Sequence, residues 1–256
     1  MGFVRLATFN IRHGRAASGR SVRVDLLAQA VRQLDADILG LQEVDRGQRR
    51  SGWADLTAVA AEAMGAREYR FVPALTGTPG AAWVVSARAE STPGATFGIA
   101  LLSRFPVVEW RELVLPRLRP SLAVGPARWT RQVVVGEEPR AAVVARIETP
   151  LGPVCVANTH LTFVPGSNAR QLARICADLA ALPDPVVVLG DLNMWGAWPV
   201  RISRYRTLAA HPTFPAAAPT RQLDHILLRG ELPVASTSAP WLPLSDHRAL
   251  VVDLAG

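Results

Sequence analysis

The chain has 256 residues, of which 49% are hydrophobic and 19% are charged. This length suits one large domain with a sizeable core, and the composition excludes a disordered or low-complexity protein. The formal net charge is +7, and all 28 basic residues are arginines because the sequence contains no lysine. Arginine pairs well with phosphate oxygens. A GC-rich coding bias, which favours Arg, Ala, Gly and Pro, is the stronger explanation of this count.

The cysteines and the apolar segments exclude several protein classes. The two cysteines, Cys155 and Cys176, lie in apolar segments and are expected to be buried free thiols. The apolar start Phe3–Ile11 is too short and too interrupted for a signal peptide. No run of about 18 apolar residues predicts a membrane span. We therefore expect a cytoplasmic protein that is a monomer.

Short apolar runs alternate with amphipathic stretches, which predicts an α/β protein. The chain begins with a strand at Phe3–Ile11, a helix at Val22–Leu34, a strand at Ile38–Gln42 and a helix at Leu56–Met64. Later strands are predicted at Tyr69–Pro73, Gly98–Ser103, Val107–Leu115, Ala141–Glu148, Val154–His160, Val186–Leu189, His225–Leu228 and Ala249–Leu254. A third helix is predicted at Ala169–Leu182.

Two long irregular stretches interrupt this pattern, at Gly77–Thr96 and at Pro116–Pro139. Long loops in compact domains are usually functional or disordered. Strands resume on both sides of each stretch, so neither is a domain boundary. The second stretch carries Arg128 and Arg131 among prolines, and we expect it to form part of a substrate wall.

Polar residues follow or precede the apolar strands in a way that is typical of a site at one sheet edge. These residues are Asn10, Glu43, His160, Asp191, Asn193, Asp224, Asp246 and His247. Carboxylates, amides and histidines in one place favour a hard cation such as Mg²⁺. Such a cation neutralises phosphate charge, and a His–Asp pair activates water.

The motifs, taken in order, resemble the endonuclease/exonuclease/phosphatase superfamily. The matching motifs are Thr-Phe-Asn-Ile-Arg (8–12), Leu-Gln-Glu-Val-Asp (41–45), Leu-Leu-Ser-Arg-Phe-Pro-Val (101–107), Asn-Thr-His-Leu (158–161), Gly-Asp-Leu-Asn (190–193), Leu-Asp-His-Ile (223–226) and Ser-Asp-His-Arg (245–248). Each is weak alone, but seven in the family's order span almost the whole chain. The resemblance implies a single domain over 1–256, a four-layer α/β sandwich in which helices flank two packed, mainly antiparallel mixed sheets.

The resemblance also implies a metal site and a substrate contact. Asn10 and Glu43 would hold Mg²⁺ or Mn²⁺, and Asp246 would assist directly or through water. Arg12 would lie near the substrate. The substrate would carry phosphate, as a nucleic acid, a lipid head group or a small phosphoester does.

The remaining motif residues are implied to be catalytic. Asp191 and Asn193 would orient the attacking water and the phosphate. His247 would act as general base or phosphate contact, oriented by Asp224. His160 would contact the phosphate and protonate the leaving oxygen, but the sequence offers no partner to orient it.

Some features depart from this pattern or allow other interpretations. Many relatives have asparagine where Ile99 stands, so that strand's role in the site is in doubt. His225 should point away from the site and be structural. Trp195 and Trp198 could stack on a substrate or simply pack. A phosphodiesterase resembling nucleases is the leading hypothesis. A phospholipid head-group phosphodiesterase, a phosphomonoesterase and a non-catalytic polyanion-binding protein are the alternatives.

Overall fold

The structure, a computed structural model, describes residues 2–19, 21–79, 83–85, 94–117 and 137–256. Its helices are α1 (Val24–Leu34), α2 (Leu56–Met64), α3 (Ser167–Leu179) and α4 (Trp198–Ser203). Its strands are β1 (Phe3–Asn10), β2 (Ile38–Arg46), β3 (Glu68–Gly77), β4 (Trp83–Val85), β5 (Thr96–Ser103), β6 (Val107–Val114), β7 (Ala141–Thr149), β8 (Gly152–His160), β9 (Val186–Asp191), β10 (Arg206–Thr207), β11 (Asp224–Arg229), β12 (Val234–Ser238) and β13 (Leu250–Ala255). The predicted substrate residues Arg128 and Arg131 lie outside the described residues.

The strands form two sheets. The seven-stranded sheet has the order β12-β13-β1-β2-β5-β3-β4, and the six-stranded sheet has the order β10-β11-β9-β8-β7-β6. Among the described strands, only the pairs β1–β2 and β8–β9 are parallel, and the other pairs are antiparallel. The predicted mixed, mainly antiparallel sheets are therefore confirmed.

Helices cover the outer faces of the two packed sheets. Leu6 and Leu189 belong to the apolar layer between the sheets. Residues of α1 and α2, such as Leu27, pack on the outer face of the seven-stranded sheet. Residues of α3, such as Leu172, pack on the outer face of the six-stranded sheet. This order of helix, sheet, sheet and helix confirms the predicted four-layer sandwich.

Local sequence signals explain where the two N-terminal helices begin and end. The buried face of α1 recurs at the helical period, with Leu27, Val31 and Leu34 facing the core. Asp55 caps α2 by accepting hydrogen bonds from the next backbone N–H groups, an interaction worth about 1 kcal/mol. The helix ends at Gly65, whose φ of 68° is readily adopted by glycine.

A buried polar network joins the two sheets beneath the edge at which the predicted site residues lie. The Gln42 amide donates to Asn158 Oδ1 at 2.7 Å, and the Asn158 amide donates to the Ala100 carbonyl at 2.8 Å. Gly40 allows this approach, because a Cβ there would collide with Asn158 and Leu189. The network ties β2 to β8, so the polar ends of the two sheets are held at a common edge.

The structure also differs from the sequence-based predictions. It contains four short elements that the apolar pattern did not predict, namely β4, α4, β10 and β12. The strand β4 lies within Gly77–Thr96, which was predicted to be irregular. The third helix begins at Ser167 and ends at Leu179, earlier at both ends than predicted.

Two further expectations concern the cysteines and membrane spans. Both cysteines are free thiols, but only Cys155 is fully buried; Cys176 is partly buried, and this burial raises its pKa to about 11. Within the described parts of the chain, no helix combines the length and apolar character needed to cross a membrane.

Candidate active site

Three neighbouring strands of the six-stranded sheet place one polar residue each in a row. His160 on β8 pairs in register with Asp191 on β9, and Asp191 pairs with Asp224 on β11. Gly190 has a φ of 141°, and a side chain there would collide with the Thr159 carbonyl. Glycine at this position therefore lets β8 and β9 approach closely where the row forms.

His247 lies just before β13, and its ring is turned onto Asp224. His247 Nδ1 is 2.8 Å from Asp224 Oδ2, and both side chains are buried. Ser245 Oγ donates to the Asn10 carbonyl at 2.6 Å and accepts from the His247 backbone N–H at 3.1 Å. These bonds anchor the loop of His247 to the end of β1. The predicted His247–Asp224 pair is thus present as a direct contact.

Burial and charge act in opposite directions on His247. Burial lowers the pKa of His247, but the charge and hydrogen bond of Asp224, with the charge of Asp191, outweigh it and raise the pKa to about 10. The ring is therefore an imidazolium at neutral pH. This form suits a contact to phosphate better than it suits a proton acceptor.

Asp191 occupies the centre of the site. Its Oδ2 accepts from Asn10 Nδ2 at 3.0 Å and lies 3.5 Å from His160 Nε2 and 3.8 Å from His247 Nε2. Its Oδ1 accepts from the Asn193 backbone N–H at 3.0 Å. The structure therefore brings both sheets and both histidines together around one carboxylate.

The protonation of Asp191 is poised near neutrality. Burial and the nearby charge of Asp224 raise the pKa of Asp191 to about 7, although His247 and Asn10 act in the opposite direction. A carboxylate with such a pKa can accept a proton at neutral pH far better than an ordinary aspartate.

The seven-stranded sheet contributes Asn10 and Glu43. Asn10 ends β1, and its Nδ2 donates to Glu43 Oε1 at 3.2 Å. Glu43 was predicted to follow the end of its strand, and this is wrong because β2 continues to Arg46. Glu43 has a φ of 55° and lies in a β-bulge between Leu41 and Val44. The extra residue of the bulge re-aims the side chain into the site.

Glu43 is ionised at neutral pH. Burial raises the pKa of Glu43, but the nearby His13 ring and the hydrogen bond from Asn10 outweigh it and lower the pKa to about 2. His13 Nδ1 lies 3.8 Å from Glu43 Oε2. The sequence left His13 undecided between a substrate contact and a surface histidine, and the structure places it beside the predicted metal ligand.

Arg12 and Asp246 form an ion pair at the open side of the site. Arg12 NH1 lies 3.2 Å from Asp246 Oδ2, and about a third of each side chain is exposed. The Arg12 backbone N–H donates to Asn10 Oδ1 at 3.0 Å. Arg12 is thus fixed between a predicted metal ligand and the solvent, which is compatible with its predicted place near the substrate.

The donor groups present fit a hard divalent cation. Glu43 and Asp191 both face the single amide of Asn10, so two carboxylates share one neutral donor. The ligand atoms of Asp191, Asp224 and His247 also lie within 4.8 Å of one another. Asp224 Oδ1 is buried and has no hydrogen-bond partner among the described residues. This concentration of oxygen ligands is the kind that Mg²⁺ and Mn²⁺ bind.

His160 has a partner that the sequence did not reveal. Arg140 NH1 lies 3.2 Å from His160 Nδ1, and both side chains are buried. Burial and the charge of Arg140 hold the pKa of His160 well below its usual range. Because a guanidinium can only donate, Nδ1 accepts and Nε2 carries the hydrogen that faces Asp191. The ring is therefore neutral, and it suits a hydrogen-bond donor better than the charged acid that was expected.

Replacing Arg140 with methionine is expected to free the tautomer of His160. Methionine keeps apolar bulk but cannot donate to Nδ1, so kcat should fall about 10–100-fold, the usual cost of losing an orienting partner. Nitrogen NMR of the imidazoles should show a loss of the Nε2–H form and a rise in the His160 pKa. Arg117→Met, at an exposed position, is the control. An unchanged His160 tautomer and pKa would show that Arg140 is only structural.

The remaining candidate residues lie outside this cluster. His225 is buried, and its Nε2 lies 2.9 Å from the Met194 carbonyl, as expected for a structural histidine. Ile99 belongs to the apolar layer between the sheets. Trp195 and Trp198 are 55% and 58% exposed, so packing does not explain them.

Comparisons with known proteins identify the family of this chain and relatives with a similar fold. The Endonuclease/Exonuclease/phosphatase family pattern matches residues 7–247. The uncharacterized protein YbhP of Escherichia coli (strain K12) is 27% identical, over 98% of this chain and 95% of YbhP. An endonuclease/exonuclease/phosphatase from Beutenbergia cavernae has a TM-score of 0.73 at 22% identity, covering 99% of this chain and 72% of its own. A mannosyl-6-phosphatase from Bacteroides thetaiotaomicron has a TM-score of 0.63 at 18% identity, covering 99% and 100%. This chain belongs to the endonuclease/exonuclease/phosphatase family.

Proposed function

We propose that this chain is a Mg²⁺-dependent phosphodiesterase. Membership of the family supports phosphoester hydrolysis in general, and the preference for a diester and for Mg²⁺ is our proposal. The observation that carries it is the convergence of Asn10, His160 and His247 on the buried carboxylate of Asp191. A carboxylate surrounded by donors can take up a proton from water while the donors hold phosphate oxygens.

The two histidines and Asn193 are assigned to the phosphate. His247 is held as an imidazolium by Asp224, and a charged donor binds a phosphate oxygen more strongly than a neutral one. His160 presents Nε2–H, and the Asn193 amide lies 3.3 Å from that nitrogen. Donors fixed before the substrate arrives stabilise the charge that develops on the phosphoryl oxygens.

Asp191 is assigned to the attacking water. Its pKa of about 7 suits transfer of a proton from water as the new P–O bond forms. The bond to the leaving oxygen then breaks, and the electron pair of that bond departs with this oxygen. Asp224 acts through His247, since its contact with Nδ1 fixes the ring orientation.

Glu43 and Asn10 are assigned to the metal. A bound Mg²⁺ or Mn²⁺ would supply neutralisation of phosphate charge and stabilisation of the leaving oxygen. The ionised carboxylate of Glu43, which is 27% exposed, can reach such an ion from the bulge. Asp246 is assigned an assisting role next to Arg12. A monomeric state, a cytoplasmic location and a single domain stay predictions.

A substrate panel tests the proposal. We expect Mg²⁺ or Mn²⁺ to support hydrolysis of bis(p-nitrophenyl) phosphate, with p-nitrophenyl phosphate cleaved more slowly. Asp191→Ala should lower kcat by about 10²–10⁴-fold, the usual worth of a positioned acid or base. Asp25→Ala, at an exposed position on α1, is the control.

Other outcomes of the panel identify the alternatives. Faster cleavage of the monoester would make the protein a phosphomonoesterase. Binding of DNA, RNA or phospholipid without turnover under any metal would support a non-catalytic polyanion-binding protein. Equal rates for Asp191→Ala and the parent would remove Asp191 from the mechanism.

A further inference from the structure

An apolar crevice opens directly beside the site. It has a volume of about 390 Å³ and is lined by residues of α3, α4 and the loops that precede these helices. Its lining side chains include Phe163, Met194, Trp195, Trp198 and Ile202. This volume lies within the range of pockets that bind small organic molecules.

The crevice is continuous with the site through Asn193. Asn193 lines the crevice and also touches His160. The polar groups at this end are already engaged, because the Asn193 amide donates to the Leu161 carbonyl at 2.9 Å and the Asn168 amide donates to the Asn193 carbonyl at 3.1 Å. Because Asn193 also contacts Asp191 and His160, a group in the crevice is close enough to be joined to a phosphate held at Asp191.

The aromatic residues of the crevice are unusually exposed. Phe163 is 73% exposed, Trp195 55% and Trp198 58%. Neighbouring exposed apolar side chains of this kind mark binding surfaces. The guanidinium carbon of Arg221 lies 5.5 Å from the Trp195 ring centre, and that of Arg201 lies 5.9 Å from the Trp198 ring centre. The crevice is thus apolar with cationic groups beside it, which complements an anionic molecule that carries an apolar part.

The chemistry of the lining distinguishes two kinds of occupant. A nucleobase has several polar edge atoms, and their burial costs free energy unless they find hydrogen-bond partners. The lining has two amide side chains, Asn168 and Asn193; each already donates to a backbone carbonyl, and Asn193 is assigned to the phosphate. A flexible hydrocarbon chain needs no such partners and gains free energy from every methylene group that leaves water.

We propose that this crevice binds an acyl chain of a lipid phosphodiester whose phosphate lies at Asp191. This inference rests on the proposed function and names the substrate class of the same site. The crevice orients the lipid, and the arginines beside Trp195 and Trp198 face the anionic surface from which the lipid is taken.

A series of esters that differ only in chain length tests the inference. The methyl, octyl and dodecyl esters of p-nitrophenyl phosphate all release p-nitrophenol. Each is assayed with Mg²⁺ below its critical micelle concentration. We expect kcat/KM to be at least about tenfold higher for the dodecyl than for the methyl ester, equivalent to about 1.4 kcal/mol. In the double variant Trp195→Ala, Trp198→Ala this ratio should fall toward one.

Phe3→Ala is the matched control, and it should keep the parent ratio. Phe3 is 50% exposed, and the guanidinium carbon of Arg5 lies 5.9 Å from its ring centre, the same distance as between Arg201 and the Trp198 ring. Phe3 begins β1, whereas Asn10 of the site ends that strand. A parent enzyme without chain-length dependence, or a double variant with the parent ratio, would overturn the inference and leave the proposed function intact. The p-nitrophenyl ester of thymidine monophosphate is a further substrate in this test. If the double variant loses activity only on that ester, the crevice binds a nucleobase instead.

A binding measurement separates this inference from the proposed function. Dodecyl phosphate and methyl phosphate are titrated into the parent protein and the double variant, and heat is recorded by calorimetry. We expect dodecyl phosphate to bind at least about tenfold more tightly than methyl phosphate in the parent only. If this binding difference is found but no ester is hydrolysed, the acyl-chain crevice is supported and the proposed phosphodiesterase activity is rejected. If the esters are hydrolysed but binding does not depend on chain length, the phosphodiesterase activity is supported and the acyl-chain crevice is rejected.

Discussion

Replacing His247 with alanine is expected to lower kcat for bis(p-nitrophenyl) phosphate by about 10²–10⁴-fold. The ring contacts Asp224 at 2.8 Å through Nδ1, and Nε2 lies 3.8 Å from Asp191. Its removal takes away both the imidazolium charge beside the phosphate and the group that Asp224 holds in place. Asp224→Asn should also lower kcat, because the amide no longer favours the imidazolium.

The effects of the two substitutions on kcat should not be additive in free energy. If Asp224 acts only through His247, then Asp224→Asn made on top of His247→Ala should have little further effect on kcat. The test is a double-mutant cycle at saturating Mg²⁺. Fully multiplicative losses would mean that the two residues act separately, and Asp224 would then need another role near Asp191.

Stability must be measured beside kcat in this cycle. His247→Ala leaves the buried carboxylate of Asp224 without its partner, which typically costs 3–5 kcal/mol. His247→Gln provides a second variant, since its amide can still donate to Asp224 but carries no charge. A folded His247→Gln with parent kcat would exclude the imidazolium from catalysis. His211→Ala is the control, because His211 contacts Thr237 and lies outside the cluster.

The row of His160, Asp191 and Asp224 could be predicted from the sequence for a physical reason. His160 and Asp191 end their strands and Asp224 begins its own, and a strand aims its terminal side chains at the edge of its sheet. The family order of the motifs then implies which edges meet. The observed register, with Asp191 between the other two residues, agrees with that expectation.

Other parts of the site depend on contacts that no local pattern contains. The bulge at Glu43 contains no glycine, so the sequence predicts the end of β2 at a point where the strand only bends. Arg140 follows a Pro-rich stretch and belongs to no motif, and only the pairing of β7 with β8 brings it to His160. His13 reaches Glu43 because the chain turns sharply after β1, with a φ of 48° at His13.

Two short elements are not predicted from the sequence for a related reason. The strand β12 is mostly exposed, and its residues Val234–Ser238 lack a long apolar alternation. The helix α4 has only six residues, too few for a helical period to be recognised. Both are formed by tertiary packing, and α4 matters because it lines the crevice beside Asn193.

Replacing Glu43 with glutamine is expected to weaken metal binding while the site stays folded. Glutamine keeps the size of the side chain and an oxygen that can accept from Asn10, but it removes the negative charge that the low pKa of Glu43 maintains. Loss of even an outer partner of a metal site typically costs 10–100-fold in affinity or activity. The Mg²⁺ concentration for half-maximal activity should therefore rise at least about tenfold, and kcat at saturating Mg²⁺ should also fall.

Two titrations measure this effect, one of activity and one of Mg²⁺ or Mn²⁺ binding by calorimetry. Glu62→Gln is the control, since Glu62 is an exposed carboxylate on α2 and its loss should move neither titration. The oxygen ligands favour Mg²⁺ and Mn²⁺, so Zn²⁺ should not be required. An unchanged Mg²⁺ titration in Glu43→Gln would show that Glu43 is not a ligand. The ion would then belong at the neighbouring carboxylates of Asp191 and Asp224.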